Sequence, residues 1–361
     1  MTWRALYDGT GNTRWLDPGP EQGGLLRGTL QMELDLETFA RQRGPLLRVL
    51  PRREPRRICV LEPYSDGRVH FLRRHGIEVS QLSVGLGREP ISGRMRLSYH
   101  WDVRRGLSLL TAENLSKGTI RQQECHSALP LEAPEIAALF GSTPDSALHP
   151  ALQWLALADH WQTVGPVPGL APRTEIATPD GLRPIRDLRP GDLVMTADSG
   201  PLPVLWQGRI STPSVGSFQP IRIRAPYFGL ARDVMLQPSQ RVALSGSDIE
   251  YYFGESEVIA EARHFVDGQI ALWEDHAPVA SWHGLVLDRH ALIYAGGMWT
   301  ESLYLGRIAN NVELARATAP GALAERDDMP VHNGPVRREL VEYEVQALIQ
   351  ARRRRRSPIA A

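Results

Sequence analysis

Between Leu25 and about His126 the chain breaks into short segments rich in Leu, Val and Ile, each closed by Gly, Pro or charged residues. They are LLRGTLQMELDL, PLLRVL, RRICVLEPY, GRVHFLRRHG, IEVSQLSVGL, GRMRLSYHWDV, GLSLLTAEN and GTIRQQECH. In the sixth, Met95, Leu97, Tyr99 and Trp101 alternate with Arg96, Ser98 and His100, a period of two that an extended chain turns into one apolar and one polar face. Strands at this spacing predict an antiparallel sandwich or barrel. Between Pro134 and Trp161 the period lengthens. Ile136, Leu139 and Phe140, and then Leu152, Leu155, Leu157 and Trp161, predict two short helices that close the first domain.

A chain of 361 residues with 42% hydrophobic side chains is too long for one ordinary core, so two domains are expected. The boundary falls in Gly165-Pro166-Val167-Pro168-Gly169, where proline fixes φ and removes donors while glycine permits sharp reversals. It separates residues 1–164 from a junction at 165–172, a second domain at 173–350 and a basic tail at 351–361. In the second domain Ile176-Ala177-Thr178 is a strand stopped by Pro179-Asp180-Gly181, and Arg189-Pro190-Gly191-Asp192 turns the chain into Leu193-Val194-Met195. More strands are expected in VLWQGRI, QPIRIRAP, DVMLQP, RVALSG, HGLVLDRH and ALIYAGG. A terminal helix is expected from Glu339 to about Gln350, with Leu340, Tyr343, Val345 and Leu348 apolar. The expected class is mainly all-β with a few short helices.

Charge is balanced, 41 basic residues against 41 acidic, so no global field selects a membrane, nucleic acid or acidic substrate. Cys59 and Cys125 are too few and too far apart for a disulfide scaffold or a CxxC-type zinc or redox site, which leaves one bridge as an open pairing. No segment approaches the roughly 20 apolar residues of a membrane-spanning helix, and the N-terminus has no apolar run of signal-peptide length. A soluble chain in the cytoplasm is the default expectation, with non-classical secretion as the alternative.

The stretch from Arg173 to Gly200, RTEIATPDGLRPIRDLRPGDLVMTADSG, resembles the opening block of Hint domains, the self-cleaving modules of hedgehog proteins and inteins. Three later segments follow in the order and spacing of the Hint proteins of alphaproteobacteria: APYFGLARDVMLQPSQRVALSG (Ala225 to Gly246), EVIAEARHFVDG (Glu257 to Gly268) and HGLVLDRHALIYAGGMWTESLYLG (His283 to Gly306). The resemblance spans roughly Gly169 to Gln350. It implies a flattened all-β disc of pseudo-twofold origin, with the active site where its first strand meets the central ones. The first half is similar in general layout to jelly-roll sandwiches of the concanavalin or laminin-G type.

Hint chemistry begins with a Cys or Ser that attacks the preceding carbonyl, and it draws a polarising group and an acid from a T-x-x-H segment. The resemblance puts Gly169 at the nucleophile position and aligns Gln237-Pro238-Ser239-Gln240 with T-x-x-H, so Gln237 stands for the Thr and Gln240 for the His. Glycine has no nucleophile, and a carboxamide exchanges no proton near neutral pH. Proton transfer alone is typically worth about 10²–10⁴-fold. The leading expectation is therefore a Hint fold deficient in self-cleavage, acting as a structural or interaction module without cofactor or metal. The enzymatic alternative is slow autocleavage near Gly169 by Thr174 or water, with His264 or His290 as acid. In that reading Asp288, two residues before His290, shares a strand face with it and orients the imidazole. Thr178 and Ser199 are further hydroxyls near the block. Val331-His332-Asn333-Gly334 resembles the His-Asn ending of inteins, but Gly334 stands where Cys, Ser or Thr would follow, and Pro330 and Pro335 predict an exposed loop.

Other features point more weakly to ligands. Tyr99, His100, Trp101 and Asp102 are the candidates for sugar binding in the first domain, against a core reading that alternating aromatics favour. The third functional reading is thus a glycan or other surface-ligand binder, with an unidentified protein or glycan as partner. Glu250 to Glu257 surrounds aromatics with acidic residues but lacks calcium-loop spacing, and His70, His75 and His100 have no metal-ligand spacing. The run Arg352 to Arg356 could dock nucleic acid or an acidic partner, although a solvated tail is favoured. With no Gly-rich phosphate loop, G-x-S-x-G elbow or H-E-x-x-H, enzyme classes built on those motifs are disfavoured.

Overall fold

The computed structural model describes residues 2–17, 24–42, 44–51, 56–64, 67–87, 92–141 and 145–356, and it divides into two compact units, Met1–Val164 and Gly165–Ala361. In the first unit the cleanly alternating segments become the longest strands. Arg94–Asp102 pairs antiparallel with Arg27–Asp35 on one side and Leu107–Asn114 on the other. These belong to a seven-stranded sheet with Thr119–Cys125, Leu152–Ala158, Trp3–Tyr7 and Thr13–Trp15. A second sheet of five strands holds Ser146–Leu148, Leu47–Val49, Arg57–Pro63, Arg68–His75 and Glu78–Gly85. One apolar cluster takes Leu30, Met32, Leu97 and Trp101 from the larger sheet and Leu47, Leu61, Phe71 and Leu82 from the smaller, which makes the unit a two-layer sandwich.

The helix expected around Leu152 is instead the strand Leu152–Ala158, seated between Arg27–Asp35 and Trp3–Tyr7. Six of its seven residues are buried. A strand covered on both faces reads as a continuous apolar run, and such a run also satisfies helical spacing. The other expected helix forms over Ala133–Phe140, with Pro134 in its first turn and a reciprocal capping box between Glu132 and Glu135. The sugar-binding quartet is interior: Tyr99, His100, Trp101 and Asp102 are all buried. Tyr99 stacks on Trp101, and His100 hydrogen-bonds the Gln162 carbonyl at 2.7 Å, with burial lowering the imidazole pKa to about 4. Cys59 and Cys125 are both free thiols, so the open pairing is not made.

Arg73 is the most deeply buried cation among the described residues of this unit. It donates to the carbonyls of Leu129 and Pro130 and lies 3.0 Å from Glu135 Oε1, while His75 Nε2 lies 3.1 Å from Glu135 Oε2. Burial opposes ionisation of Glu135, but His75 and Arg73 hold its carboxyl below the ordinary value. The guanidinium thereby ties the smaller sheet to the segment that enters Ala133–Phe140.

In the second unit the 14-residue strand Gly200–Pro213 is the organiser, because it pairs with Leu193–Thr196 at its start and with Val279–Leu287 along the rest. The sheet continues through Leu292–Ala295, Met298–Glu301, Arg241–Ser245 and Glu257–Glu261 to a short parallel partner, Arg338–Glu339. Glu175–Thr178 and Gly181–Pro184 form a hairpin on Leu292–Ala295, and Val234–Leu236, Ile221–Ile223 and Ala271–Trp273 make a small separate sheet. The terminal helix spans Glu342–Arg356, later than expected. Leu340 precedes it and is buried with Val345 and Leu348, whereas Tyr343 is 75% exposed and lies off the apolar side. The basic run continues the helix, with Arg352 on Asp248 and Arg353 on Asp267. Residues 357–361 of the expected tail lie outside the described residues. No helix among the described residues is long and apolar enough to cross a membrane.

Replacing Arg73 by Ala leaves Glu135 buried without its main cation. It is expected to lower the unfolding free energy by about 3–5 kcal/mol, read from urea denaturation followed by tryptophan fluorescence. A loss below about 1 kcal/mol would mean the pair does not hold the sandwich together.

Candidate functional site

Pro168, Gly169 and Leu170 are buried in the second unit, where the chain first enters its sheets. Leu170 bridges two strands at once, Val234–Leu236 through Leu236 and Val279–Leu287 through His283. The exchange with His283 is reciprocal, at 3.0 Å from Leu170 N and 2.7 Å from His283 N, and Gln237 N donates to the Gly169 carbonyl at 2.9 Å. Gly169 is thus held by backbone on both sides. Its φ is not left-handed, so conformation does not demand a glycine there.

Space does demand one. A Cβ on Gly169 would come within 2.2 Å of Gln240 Oε1 and 2.8 Å of Gln240 Cβ. The structure therefore brings Gly169 and Gln240, 71 positions apart in sequence, into direct contact. Gln240 is fixed from behind: its Nε2 donates to Thr300 Oγ1 at 2.8 Å and to the Glu301 carbonyl at 2.9 Å. Gln237 shapes the turn that delivers it. The Gln237 Oε1 accepts from Ser239 N and Ser239 Oγ, its Nε2 donates to the Ser217 carbonyl, and Gln240 N closes the turn on the Gln237 carbonyl. Both carboxamides are engaged in hydrogen bonds of the turn and the adjoining strand.

The expected substitutes lie elsewhere. Thr174 is buried, with its methyl 3.3 Å from where a Cβ on Gly296 would sit. Thr178 Oγ1 is spent on the Gly181 carbonyl. His264 sits in the turn Ala262–Phe265 with Nε2 3.9 Å from Glu261 Oε2, and burial and then Arg263 lower its pKa. Asp288 does not orient His290. The strand ends at Leu287, so the alternation that would align residues 288 and 290 stops, and Asp288 instead caps the Arg289 N–H.

The partner of His290 is Glu301, whose Oε1 lies 3.3 Å from Nε2, with both side chains 4% exposed. Around this pair, His290 packs on Tyr304 at 4.7 Å and stacks on His332 at 5.6 Å between ring centroids, and Arg241 Nε reaches Glu301 Oε2 at 3.2 Å. His332 is not in an exposed loop but buried, accepting from Leu305 N on Nδ1, which puts its proton on Nε2 facing the Leu287 carbonyl; Asn333 beside it is exposed. Burial pushes the Glu301 carboxyl up to about 7 against Arg241, with Glu339 and Glu261 adding repulsion, and pushes His290 down to about 3. Sequence reading missed Glu301 and Arg241. The available signal was a carboxylate, TES, at the end of an otherwise apolar hairpin. It also missed His283, whose Nδ1 lies 2.9 Å from Gln207 Nε2 and whose pKa is lowered by burial and by Arg209. Among the described residues one group of three possible metal ligands converges, Glu274, Asp275 and His276, but Asp275 and His276 are exposed and Glu274 already pairs with Arg222.

An acid whose pKa is raised on folding contributes most stability below its unfolded value, here 4.5, and that contribution is lost as pH rises through about 7. Glu301 should therefore cost the native state up to about 3 kcal/mol at pH 8 relative to pH 4.5. Glu301→Gln should flatten this part of the profile in denaturant titrations across pH, and an unchanged slope would place the titrating group elsewhere.

Among curated proteins no match is found. Solved structures similar to this chain include the gp41-1 intein, 14% identical over 37% of this chain and 98% of that one with a TM-score of 0.26. Others are a bacterial intein-like domain from Clostridium thermocellum, at 12%, 38%, 99% and 0.28, and the CBM40 of the Ruminococcus gnavus IT-sialidase, at 11%, 38%, 77% and 0.26. The model of the Hint domain family matches residues 168–307, the stretch that runs from Pro168 through the Gly169–Gln240 contact to the Glu301 cluster, so the second unit carries a Hint domain.

Proposed function

We propose that this Hint domain has lost self-cleavage and serves as a structural or interaction module. The observation that carries the reading is the Gly169–Gln240 contact, in which a carboxamide fills the room a nucleophile's side chain needs. Acyl transfer to a side chain requires an oxygen or sulfur beside the preceding carbonyl and an acid to protonate the departing nitrogen. At the Pro168–Gly169 bond the first is absent, and Gln240, which occupies the acid's place, uses its N–H groups on Thr300 and Glu301. His290, the imidazole that faces a buried carboxylate, is turned toward Glu301, Tyr304 and His332.

Intact mass spectrometry of the purified chain, before and after long incubation with thiol or hydroxylamine, should give one species of 40.2 kDa. Fragments meeting at Gly169 would overturn the reading. The spatial argument has its own test. Gly169→Cys should destabilise the protein by about 1–3 kcal/mol through overpacking and remain uncleaved. Adding Gln240→Ala should recover much of that loss, a coupling visible in a double-mutant cycle. Additive losses would show that the two residues are not in contact.

A further inference from the structure

Arg241 stands between carboxylates from two different parts of the second unit. Its Nε lies 3.2 Å from Glu301 Oε2 on strand Met298–Glu301, and its Nη1 lies 3.3 Å from Glu339 Oε2 in the C-terminal segment, with the guanidinium over the Tyr304 ring. Other groups surround Glu301. Glu261 is the cross-strand neighbour of Arg241 and pairs with Arg263, burial and then Glu339 raising its carboxyl as well, and His264 lies 3.9 Å from Glu261. His290 faces Glu301 directly, and His332 stacks behind it. One guanidinium therefore serves both Glu301 and Glu339.

Glu339 belongs to a segment with a small hold on its sheet. Arg338 and Glu339 pair in parallel with Val258 and Ile259, two residues only, and Leu340 N then donates to the Ile259 carbonyl. Arg337 reaches Asp198 and Glu257, and Arg338 reaches Glu344. Beyond this point Leu340, Val345 and Leu348 enter the apolar cluster of the unit. The strip from Val336 to Glu339 is thus the hinge by which that packing is fastened.

We propose that Arg241, Glu301 and Glu339 form a pH-dependent latch for the C-terminal segment. With Glu301 protonated, Arg241 is committed to Glu339 and the segment stays shut along strand Glu257–Glu261. When Glu301 ionises it draws the guanidinium to itself and repels Glu339, and the segment loosens. Burial pushes the Glu301 carboxyl up to about 7, which puts the change of state between mildly acidic and mildly alkaline conditions. His290, pushed down to about 3, is neutral through that interval, and burial lowers His332 in the same direction.

The test is hydrogen exchange of the full chain by mass spectrometry at pH 6 and pH 8, corrected for intrinsic rates, comparing residues 336–350 with strand Arg241–Ser245. The C-terminal segment should lose protection at pH 8 on the order of tenfold more than the strand. Glu301→Gln should keep it shut at both pH values, and Glu339→Gln should make its protection independent of pH. Equal protection at pH 6 and pH 8 in the unmodified chain, or a pH effect that survives in either variant, would overturn the latch.

Discussion

The second unit depends on the way one residue of backbone, Leu170, is hydrogen-bonded into two strands at once. By bridging Leu236 and His283 it joins the small sheet of Val234–Leu236 to the large sheet through Val279–Leu287. A residue so placed must be extended and have its N–H and carbonyl free for sheet bonds, and its neighbour must leave room for whatever the turn after Leu236 carries. Glycine at 169 meets that condition because Gln240 occupies the adjoining space. The geometry that brings a first residue and a turn residue together follows from these backbone bonds and does not depend on the chemistry of the two side chains.

Ion pairing in this chain is almost wholly an arginine matter, since Lys117 is the single lysine among 41 basic residues. The buried cations show why that composition suits the fold. Arg73 satisfies two carbonyls and Glu135 together, and Arg241 reaches Glu301 and Glu339 while covering an aromatic ring. A planar guanidinium with donors spread over a fork can hold several oxygens in fixed directions, which a single ammonium cannot. Each such site also carries a charge that is costly to leave alone, so both units are held by a few polar positions as well as by their apolar layers.

Much of the architecture was legible because a period of two survives wherever one face of a strand is apolar. Met95 to Trp101 announced their strand, and the Hint-like blocks, taken in order, announced the second fold. Reading failed where periodicity carries no information. Leu152–Ala158 is covered on both faces, and its apolar run gave helix and strand alike. At the site, the positions of Gly169, Gln237 and Gln240 could be aligned from sequence, but that Gln240 fills the place of a Gly169 side chain is a fact of three dimensions. Asp288 and His290 failed for a related reason, since their spacing means a shared face only while the strand continues, and it ends at Leu287. Glu301 was invisible because nothing in sequence places it against residues 241, 290 and 339.

The family model ends at residue 307, yet the apolar cluster of the second unit does not, since Leu340, Val345, Leu348 and Ile349 are all buried in it. During synthesis the first sandwich has all its core residues by Leu157 and can close while the ribosome is still adding chain. The second unit cannot. Its last core side chain is Ile349, so the chain must leave the ribosome well past the family-model segment before this unit can finish folding, and its unfinished strands remain exposed to chaperones and proteases until then.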